Sequence, residues 1–205
     1  MVGAAARLTA AALAACWSLP ALAATAAAVD APDSGWRIAG QCREGQPQGG
    51  YMLRAGDGRL RVQGAFNQGQ RVGSFIFWTA RGTRVAHVPF DADRINGTLS
   101  LWYDEAADDR DGPRKLVAGY RAGERHGLTR SWYADGRLRA EYDYREGALI
   151  SARAWSDAGL AYDEARSRAM ADADRAVDAE YLDALLATVR RHLPDCAPPP
   201  AQQHA

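Results

Sequence analysis

Apolar and polar residues alternate along the middle of the chain with a period of two. Across residues 136–144 the apolar set is Leu138, Ala140, Tyr142 and Tyr144, and the polar set is Arg137, Arg139, Glu141 and Asp143. Residues 58–66 show the same alternation. Because successive side chains of a strand point to opposite faces, the pattern predicts half-buried β-strands. Each stretch follows an Asp-Gly pair, which is typical of tight hairpin turns.

Glycine and aromatic residues recur through the same region with a fixed period. The second glycine of a repeated pair stands at Gly49, Gly73 and Gly127, and Gly97 keeps the same phase without a paired glycine, so that the steps are 24, 24 and 30 residues. A closing aromatic residue keeps the same phase at Phe66, Phe90, Tyr120 and Tyr144. The longer step is explained by one insertion at 105–111. A period shared by several residue types indicates repeats, and we expect the paired glycines to mark turns between hairpins.

A helical pattern replaces the strand pattern after Tyr162. Apolar residues then recur at helical spacing, at Met170, Val177, Tyr181, Leu182, Leu185, Leu186, Val189 and Leu193. Pro194 ends the run. We expect this stripe to cover one face or one edge of the sheet, with the Ala-rich part at 169–176 as a separate or looser turn.

Together these patterns predict a mainly β fold. It is an antiparallel meander of about five 24-residue hairpin repeats with a C-terminal amphipathic helix. We expect the repeat domain at 42–160, the helix packing on it at 161–196, a linker at 24–41 and a disordered, Pro-rich tail at 197–205.

The first 23 residues have the pattern of a signal peptide. Arg7 supplies a positive charge, an apolar run follows at 8–19, and an A-x-A site ends at Ala23. A second route remains open, because residues 13–16 resemble a lipobox that would leave Cys16 acylated. We therefore expect a periplasmic or secreted protein, or one lipid-anchored through Cys16. No later segment is long and apolar enough to span a membrane.

Charge and cysteine content refine this picture. The chain has 25 basic and 25 acidic residues, so it has no general electrostatic attraction to nucleic acid, and we expect no nucleic-acid partner. After cleavage at Ala23 only Cys42 and Cys196 remain. In an oxidising compartment they are natural disulfide partners, with two unrelated free thiols as the alternative.

The clearest repeat copy resembles a known family. Gly123 and Gly127 are followed by Trp132-Tyr133, Asp135-Gly136, Leu138 and Tyr144. This is similar to the MORN-type repeat, in the bacterial variant of YwqK-family proteins, and the likeness covers about residues 43–160. The resemblance implies a β-repeat fold that acts as a scaffold or interaction module. The family's antitoxin label implies a second role, neutralisation of a toxin.

The sequence contains no recognisable catalytic or metal-binding set. The histidines, His87, His126, His192 and His204, stand at no metal-ligand spacing. The acidic insertion at 105–111 matches only part of a calcium loop and is read as a solvated loop. An envelope-polymer hydrolase would need a carboxylate pair or an activated nucleophile, and no such pair is present. We expect no enzyme, no metal and no cofactor.

Aromatic residues in register across the repeats are the best binding candidates. They are Trp78, Trp102, Tyr103, Trp132 and Tyr133. Each tyrosine directly follows a tryptophan, so the two types should point to opposite faces of the sheet. One face should pack beneath the helix, and the other should be available for binding. The sequence thus predicts an exported, non-catalytic module that binds a protein or a cell-envelope component.

Overall fold

The computed structural model describes residues 35–105 and 112–197. These ranges contain eleven strands and one helix, with the following bounds: β1 (Arg37–Arg43), β2 (Gln46–Arg54), β3 (Leu60–Asn67), β4 (Gln70–Trp78), β5 (Arg84–Asp91), β6 (Arg94–Ile95), β7 (Gly97–Trp102), β8 (Arg114–Arg121), β9 (Glu124–Trp132), β10 (Leu138–Arg145), β11 (Ala148–Ala154) and α1 (Glu164–Arg191). The predicted signal peptide, most of the insertion and the residues from 198 onward lie outside the described residues.

The strands form a single antiparallel sheet in which neighbours in space are neighbours in sequence. Its order is β1-β2-β3-β4-β5-β7-β8-β9-β10-β11, and the short β6 pairs with β5. The predicted antiparallel meander is therefore confirmed, and so is the single C-terminal helix. Each period of 24 residues contains two strands. Equivalent residues of successive repeats therefore lie on every second strand of the sheet.

The sheet begins earlier than the sequence predicted. Strand β1 starts at Arg37, inside the segment 24–41 that its composition had indicated to be a linker. Ile38 pairs with Leu53, and Cys42 pairs with Pro47. Hydrogen bonds to β2 therefore organise an Ala- and Gly-containing stretch that has weak strand propensity of its own.

The turns between repeats are the tightest ones. At Gln68-Gly69 both residues have positive φ, 49° and 76°, as a two-residue hairpin turn of the I′ type requires. The Asp-Gly pairs, by contrast, lie in three-residue loops. In the loop before β3 only Gly58 has positive φ, 81°, and its N–H donates to the carbonyl of Ala55. Both Asp-Gly pairs therefore stand at chain reversals, as predicted, but only the glycine of each pair supplies a positive φ.

The second glycine of each pair lies within a strand rather than in a turn. Gly127 has a φ of 79° on β9, where the register with β8 shifts between Ala118 and Tyr120. This is a β-bulge. Directly across the bulge, a Cβ on Gly119 would lie 2.2 Å from the carbonyl oxygen of His126. The glycine pair therefore marks one turn and one bulge, which corrects the expectation of turns alone.

Helix α1 crosses one face of the sheet. Near its C-terminal end, Tyr51 on β2 donates a hydrogen bond to the carbonyl of His192, at 2.9 Å. At its N-terminal end, Ala171 packs with Ala152 and Ala154 of β11. A helix of 28 residues is about 42 Å long, and nine strand spacings are about 43 Å. The helix is thus long enough to cover the whole width of the sheet.

The core lies between α1 and this face of the sheet. The larger cluster includes Leu53, Val62, Phe75, Phe77, Leu99 and Leu101, which pack with Leu182, Leu185 and Val189 of the helix. Asp163 caps the helix by accepting a hydrogen bond from the N–H of Arg166, and the helix then runs unbroken, so its Ala-rich part is not separate. Val177 and Leu193, which the sequence placed on the apolar stripe, are 46% and 42% exposed.

The ends of the folded region are joined covalently. Cys42 on β1 and Cys196 after α1 form a disulfide, with their Cα atoms 5.4 Å apart, which confirms the predicted pairing. The bond ties the segment after the helix to the first edge of the sheet. No helix in the described part of the chain is long and apolar enough to cross a membrane.

Candidate functional site

The three repeat tryptophans lie on the face of the sheet opposite the helix, which we call the open face. Trp78, Trp102 and Trp132 each directly follow a residue that is buried on the helix side. Because side chains alternate along a strand, each tryptophan points away from the helix. They stand on β4, β7 and β9, with one strand between successive members. Their backbones are therefore about 9.6 Å apart from one tryptophan to the next.

Arginines stand beside these tryptophans. Trp78 pairs across the strands with Arg84, and Trp102 pairs with Arg114. The guanidinium carbon of Arg84 also lies 4.2 Å from the centre of the Trp102 ring, a cation–π contact. Trp102 is consequently only 8% exposed, whereas Trp78 and Trp132 are half-buried and Arg114 is exposed. We call these five residues the tryptophan row.

Tyr103 and Tyr133, the other two candidates, have a different environment. Their hydroxyls donate hydrogen bonds of 2.8 Å to the backbone carbonyls of Trp132 and Trp155, each in the next repeat. Burial raises the pKa of both hydroxyls, so they remain neutral donors. Nζ of Lys115 lies 5.8 Å from the centre of the Tyr103 ring. The structure thus places the tyrosine hydroxyls in hydrogen bonds between repeats, where they contact backbone carbonyls and do not extend the tryptophan row.

A second line of side chains crosses the middle of the open face. It consists of successive cross-strand partners from β2 to β11, namely Met52, Gln63, Ile76, His87, Ser100, Val117, Arg130, Glu141 and Arg153. We call it the central row. Glu141 accepts hydrogen bonds from Arg130 and Arg153, both at 2.9 Å. The row therefore combines apolar and amide side chains on one side with an ion-pair network on the other.

The open face has an excess of positive charge along these two rows. Arg37 and Arg54 pair with each other at the β1–β2 end of the tryptophan row. The basic residues of the two rows with this extension are Arg37, Arg54, Arg84, Arg114, Arg130 and Arg153. Glu141 is the one carboxylate among these positions. Over these positions the basic residues exceed the carboxylates by five, and two of them, Arg130 and Arg153, are paired with Glu141.

His87 forms the nearest approach to a catalytic pair. Its Nε2 lies 2.8 Å from Oγ of Ser74. Burial, assisted by the charge of Arg84, lowers the pKa of His87. No carboxylate in the described ranges hydrogen-bonds the other ring nitrogen, and the pair lies on the surface of the sheet rather than in a cleft. The orienting group of a nucleophile–base–acid set is therefore missing here.

The sequence did not predict a polar contact between the helix and the sheet. Arg125 on β9 donates to Asp178 of α1 at 2.6 Å, and the two side chains are 5% and 12% exposed. Burial raises the pKa of Asp178, and the charge of Arg125 opposes that rise. The Arg125 guanidinium also lies 5.5 Å from the centre of the Tyr144 ring. In the sequence, Asp178 stands at a position that continues the apolar stripe of the helix. An acidic residue at such a position could have indicated this contact.

Arg139 makes the neighbouring contact. It donates two hydrogen bonds to Asp174, at 2.6 and 2.8 Å, and Tyr142 donates a third at 2.7 Å. The strand alternation had placed Arg139 on the polar side. A register shift between Leu138 and Ala140 turns it toward the helix instead. Both arginine–aspartate pairs hold the helix against the sheet and leave the open face uninvolved.

Two surface cavities lie away from the tryptophan row. One, of about 430 Å³, is lined by Arg43, Glu44, Gln46, Gln48, Asn67, Gln68 and Gln70. The other, of about 470 Å³, lies between β11 and the start of α1 and is lined by residues that include Ser151, Trp155, Tyr162 and Ser167. Across residues 35–105 and 112–197 no three His, Cys, Asp or Glu side chains cluster as metal ligands would.

Comparison with known proteins assigns no family to this chain. No protein-family model matches it, and no curated protein matches it. The geometry of the open face and the pattern of the repeats are therefore the observations from which a function can be argued.

Proposed function

We propose that this protein is an exported, non-catalytic repeat module that binds a protein or a cell-envelope component through the open face of its sheet. The observation that carries the proposal is the tryptophan row. It lies on a face that no element within the described ranges covers, while the helix occupies the other face. Trp and Arg are the side chains most enriched at the centres of protein interfaces.

The two faces of the sheet carry different kinds of residues, and this difference supports the proposal. The helix side holds the packed core and two arginine–aspartate contacts, which stabilise the fold. The open face holds half-buried Trp78 and Trp132 and exposed Arg114, none of which the core requires. A row of large aromatic and basic side chains on a solvent-facing sheet indicates a contact surface.

Export is the second part of the proposal. The leader pattern at 1–23 and the disulfide between Cys42 and Cys196 both fit an oxidising compartment. Cleavage after Ala23 would release the protein to the periplasm or the exterior, and acylation of Cys16 would anchor it there. Mass spectrometry of the N-terminus distinguishes the two routes. Neutralisation of a toxin stays a prediction of the family resemblance, and it would use the same face.

Cosedimentation with purified envelope fragments tests the proposal. The open-face variant is Arg114→Glu/Arg153→Glu, and the matched control is Arg175→Glu/Arg190→Glu, which makes the same charge change on the exposed side of α1. We expect the wild-type protein and the control to sediment with the fragments and the open-face variant to bind at least about tenfold more weakly. Equal losses in both variants, or binding that neither affects, would contradict the proposal.

A further inference from the structure

We propose that the free edge of β11 binds an extended segment of another polypeptide, which adds a further strand to the sheet beside the start of α1. This site is separate from the tryptophan row, so it does not depend on the proposed function. Three observations in the described part of the chain support it: a gap in the hydrogen bonds along the edge, a cavity at that gap and a buried hydroxyl without a partner.

The pairing of β11 with β10 determines which backbone groups of β11 point outward. Just after β11, Trp155 donates its N–H to the carbonyl of Arg139. In an antiparallel pair, every second residue forms such bonds with the neighbouring strand, and the residues between them direct their N–H and C=O groups to the other side. Counting back from Trp155 in the continuous register, Ala154 and Ala152 therefore direct these groups away from β10.

Both ends of this outward edge are already occupied, and the middle is not. Arg168 of α1 donates to the carbonyl of Ile150 at 3.2 Å, and the N–H of Tyr162 donates to the carbonyl of Ala154 at 2.9 Å. Between these bonds, the N–H and C=O of Ala152 and the N–H of Ala154 have no hydrogen-bond partner in the described chain. An extended peptide has donors and acceptors at the spacing that these three groups require.

A cavity of about 470 Å³ opens at this gap, between the edge of β11 and the first turn of α1. This volume is within the range of ligand sites in proteins, roughly 300–1,000 Å³. Its lining includes three small side chains and two aromatic rings, those of Ala152, Ala154, Ala161, Trp155 and Tyr162. Because the side chains next to the edge are small, a second backbone can approach the unpaired groups of β11.

Ser167 of α1 adds a buried hydroxyl to the lining of the cavity. The residue is 1% exposed, and its Oγ has no hydrogen-bond partner among the described residues. A buried hydroxyl without a partner is unfavourable, and a ligand that supplies the missing hydrogen bond removes this cost. We therefore expect the bound segment to insert a side chain that forms hydrogen bonds, as threonine does.

A second copy of this protein fits the edge less well than a single strand does. Pairing of two β11 edges about a twofold axis would place the same surface against itself. That surface is concave, so the cavities of both copies would stay unfilled. A single extended strand can instead pair with the edge and insert a side chain into the cavity.

An NMR titration of the oxidised protein with a blocked pentapeptide, acetyl-Ser-Val-Thr-Val-Ser-amide, tests the inference. Two comparator peptides carry N-methyl groups, one on the threonine and the other on both valines, and these groups block opposite edges of the extended peptide. Because an added strand pairs through one edge only, we expect one comparator to bind at least about tenfold more weakly and the other to bind like the parent peptide.

The backbone signals and a matched pair of variants locate the site. The amide signals of Ala152 and Ala154 should shift, whereas those of β1, at the other edge of the sheet, should not. Ser167→Ala should weaken peptide binding about fivefold or more. It should leave the melting temperature unchanged or higher, because the hydroxyl has no hydrogen bond to lose in the free protein. Ser74→Ala on the open face is the control and should bind the peptide like the wild type.

Several outcomes would overturn the inference. The absence of any shift with peptide at up to about 5 mM would show that the edge binds no added strand. Equal binding of both comparators would show that the backbone of the peptide is not recognised, and similar shifts at β1 would indicate nonspecific strand pairing. Shifts of Ala152 and Ala154 that follow protein concentration and not peptide would indicate a second copy as the occupant. Binding of envelope fragments through the open face is measured separately and stands or fails independently.

Discussion

The disulfide between Cys42 and Cys196 should be the largest single contribution to the stability of the fold. It closes a loop with a sequence separation of 154 residues. For a loop of that length, restriction of the unfolded chain is worth about 5 kcal/mol in the entropy model. We therefore expect the double change Cys42→Ala/Cys196→Ala to lower the free energy of unfolding by up to about 5 kcal/mol.

The effect on melting temperature follows from the size of the protein. In a domain of this size, 1 kcal/mol shifts the melting temperature by about 2–4 °C. The double variant should then melt about 10–20 °C below the oxidised protein. Contacts other than the disulfide still hold the helix end, including the hydrogen bond from Tyr51 to the carbonyl of His192. The variant should therefore still fold and unfold in one cooperative transition.

Urea unfolding followed by circular dichroism is the direct assay, and the reduced wild-type protein is the control. Reduction removes the bond without changing any side chain other than the two cysteines, so its effect should equal that of the double variant. A decrease in the free energy of unfolding of less than about 1 kcal/mol in both samples would refute the reasoning, because loop closure would then contribute almost nothing to stability. Agreement between them with a loss of several kcal/mol would support it.

The remaining predictions concern single contacts in the described part of the chain. Asp178→Ala leaves Arg125 without its counter-ion and should lower the free energy of unfolding by about 3–5 kcal/mol, whereas Arg125→Met/Asp178→Leu should lower it by less than about 1 kcal/mol. Urea unfolding measures both variants, and equal losses would contradict the pairing. Gly119→Ala brings a Cβ to 2.2 Å from a backbone carbonyl oxygen. It should cost at least about 2 kcal/mol, while Gly50→Ala, with open space around it, should be near neutral in the same melts. Tyr133→Phe removes one hydrogen bond between repeats and should cost about 1 kcal/mol, a loss that would be absent if the hydroxyl bonded only to water.

Much of the fold could be predicted because it depends on periodic patterns of residues in the sequence. The two-residue alternation identifies strands, and the 24-residue period identifies repeats, so the antiparallel meander follows from both. Helical spacing of Leu182, Leu185 and Val189 predicts the helix. The pairing of Cys42 with Cys196 follows from the expected cleavage after Ala23, which would leave no other cysteine. The strands, the repeats and the helix could be predicted because no single residue decides them.

Features that depend on one inserted residue could not be predicted in the same way. Alternation predicts the side on which Arg139 lies only if the strand register is unbroken. A bulge at that position reverses the direction of the side chain, and no local composition indicates it. The strand β1 was missed for a related reason, since its order comes from pairing with β2 rather than from its own residues.

The candidate site was predictable in part. The sequence identified the recurring tryptophans and indicated that each neighbouring tyrosine points to the other side. It could not say which of the two sides the helix covers, because a period of two distinguishes two faces without assigning either to the core. The arginines of the row were also missed. Their alignment with Trp102 depends on cross-strand register, which is a property of the folded sheet.

The most direct test of the central claim uses the indole N–H signals of the tryptophans in an NMR titration. The titrant is a soluble fragment preparation from the envelope fraction with which the protein cosediments, and Trp36 serves as the internal control. Trp36 packs against the core on the helix side, and its ring centre lies 4.9 Å from that of His192. The open-face account predicts that the signals of Trp78 and Trp132 shift while that of Trp36 does not. A shift confined to Trp36 would contradict it.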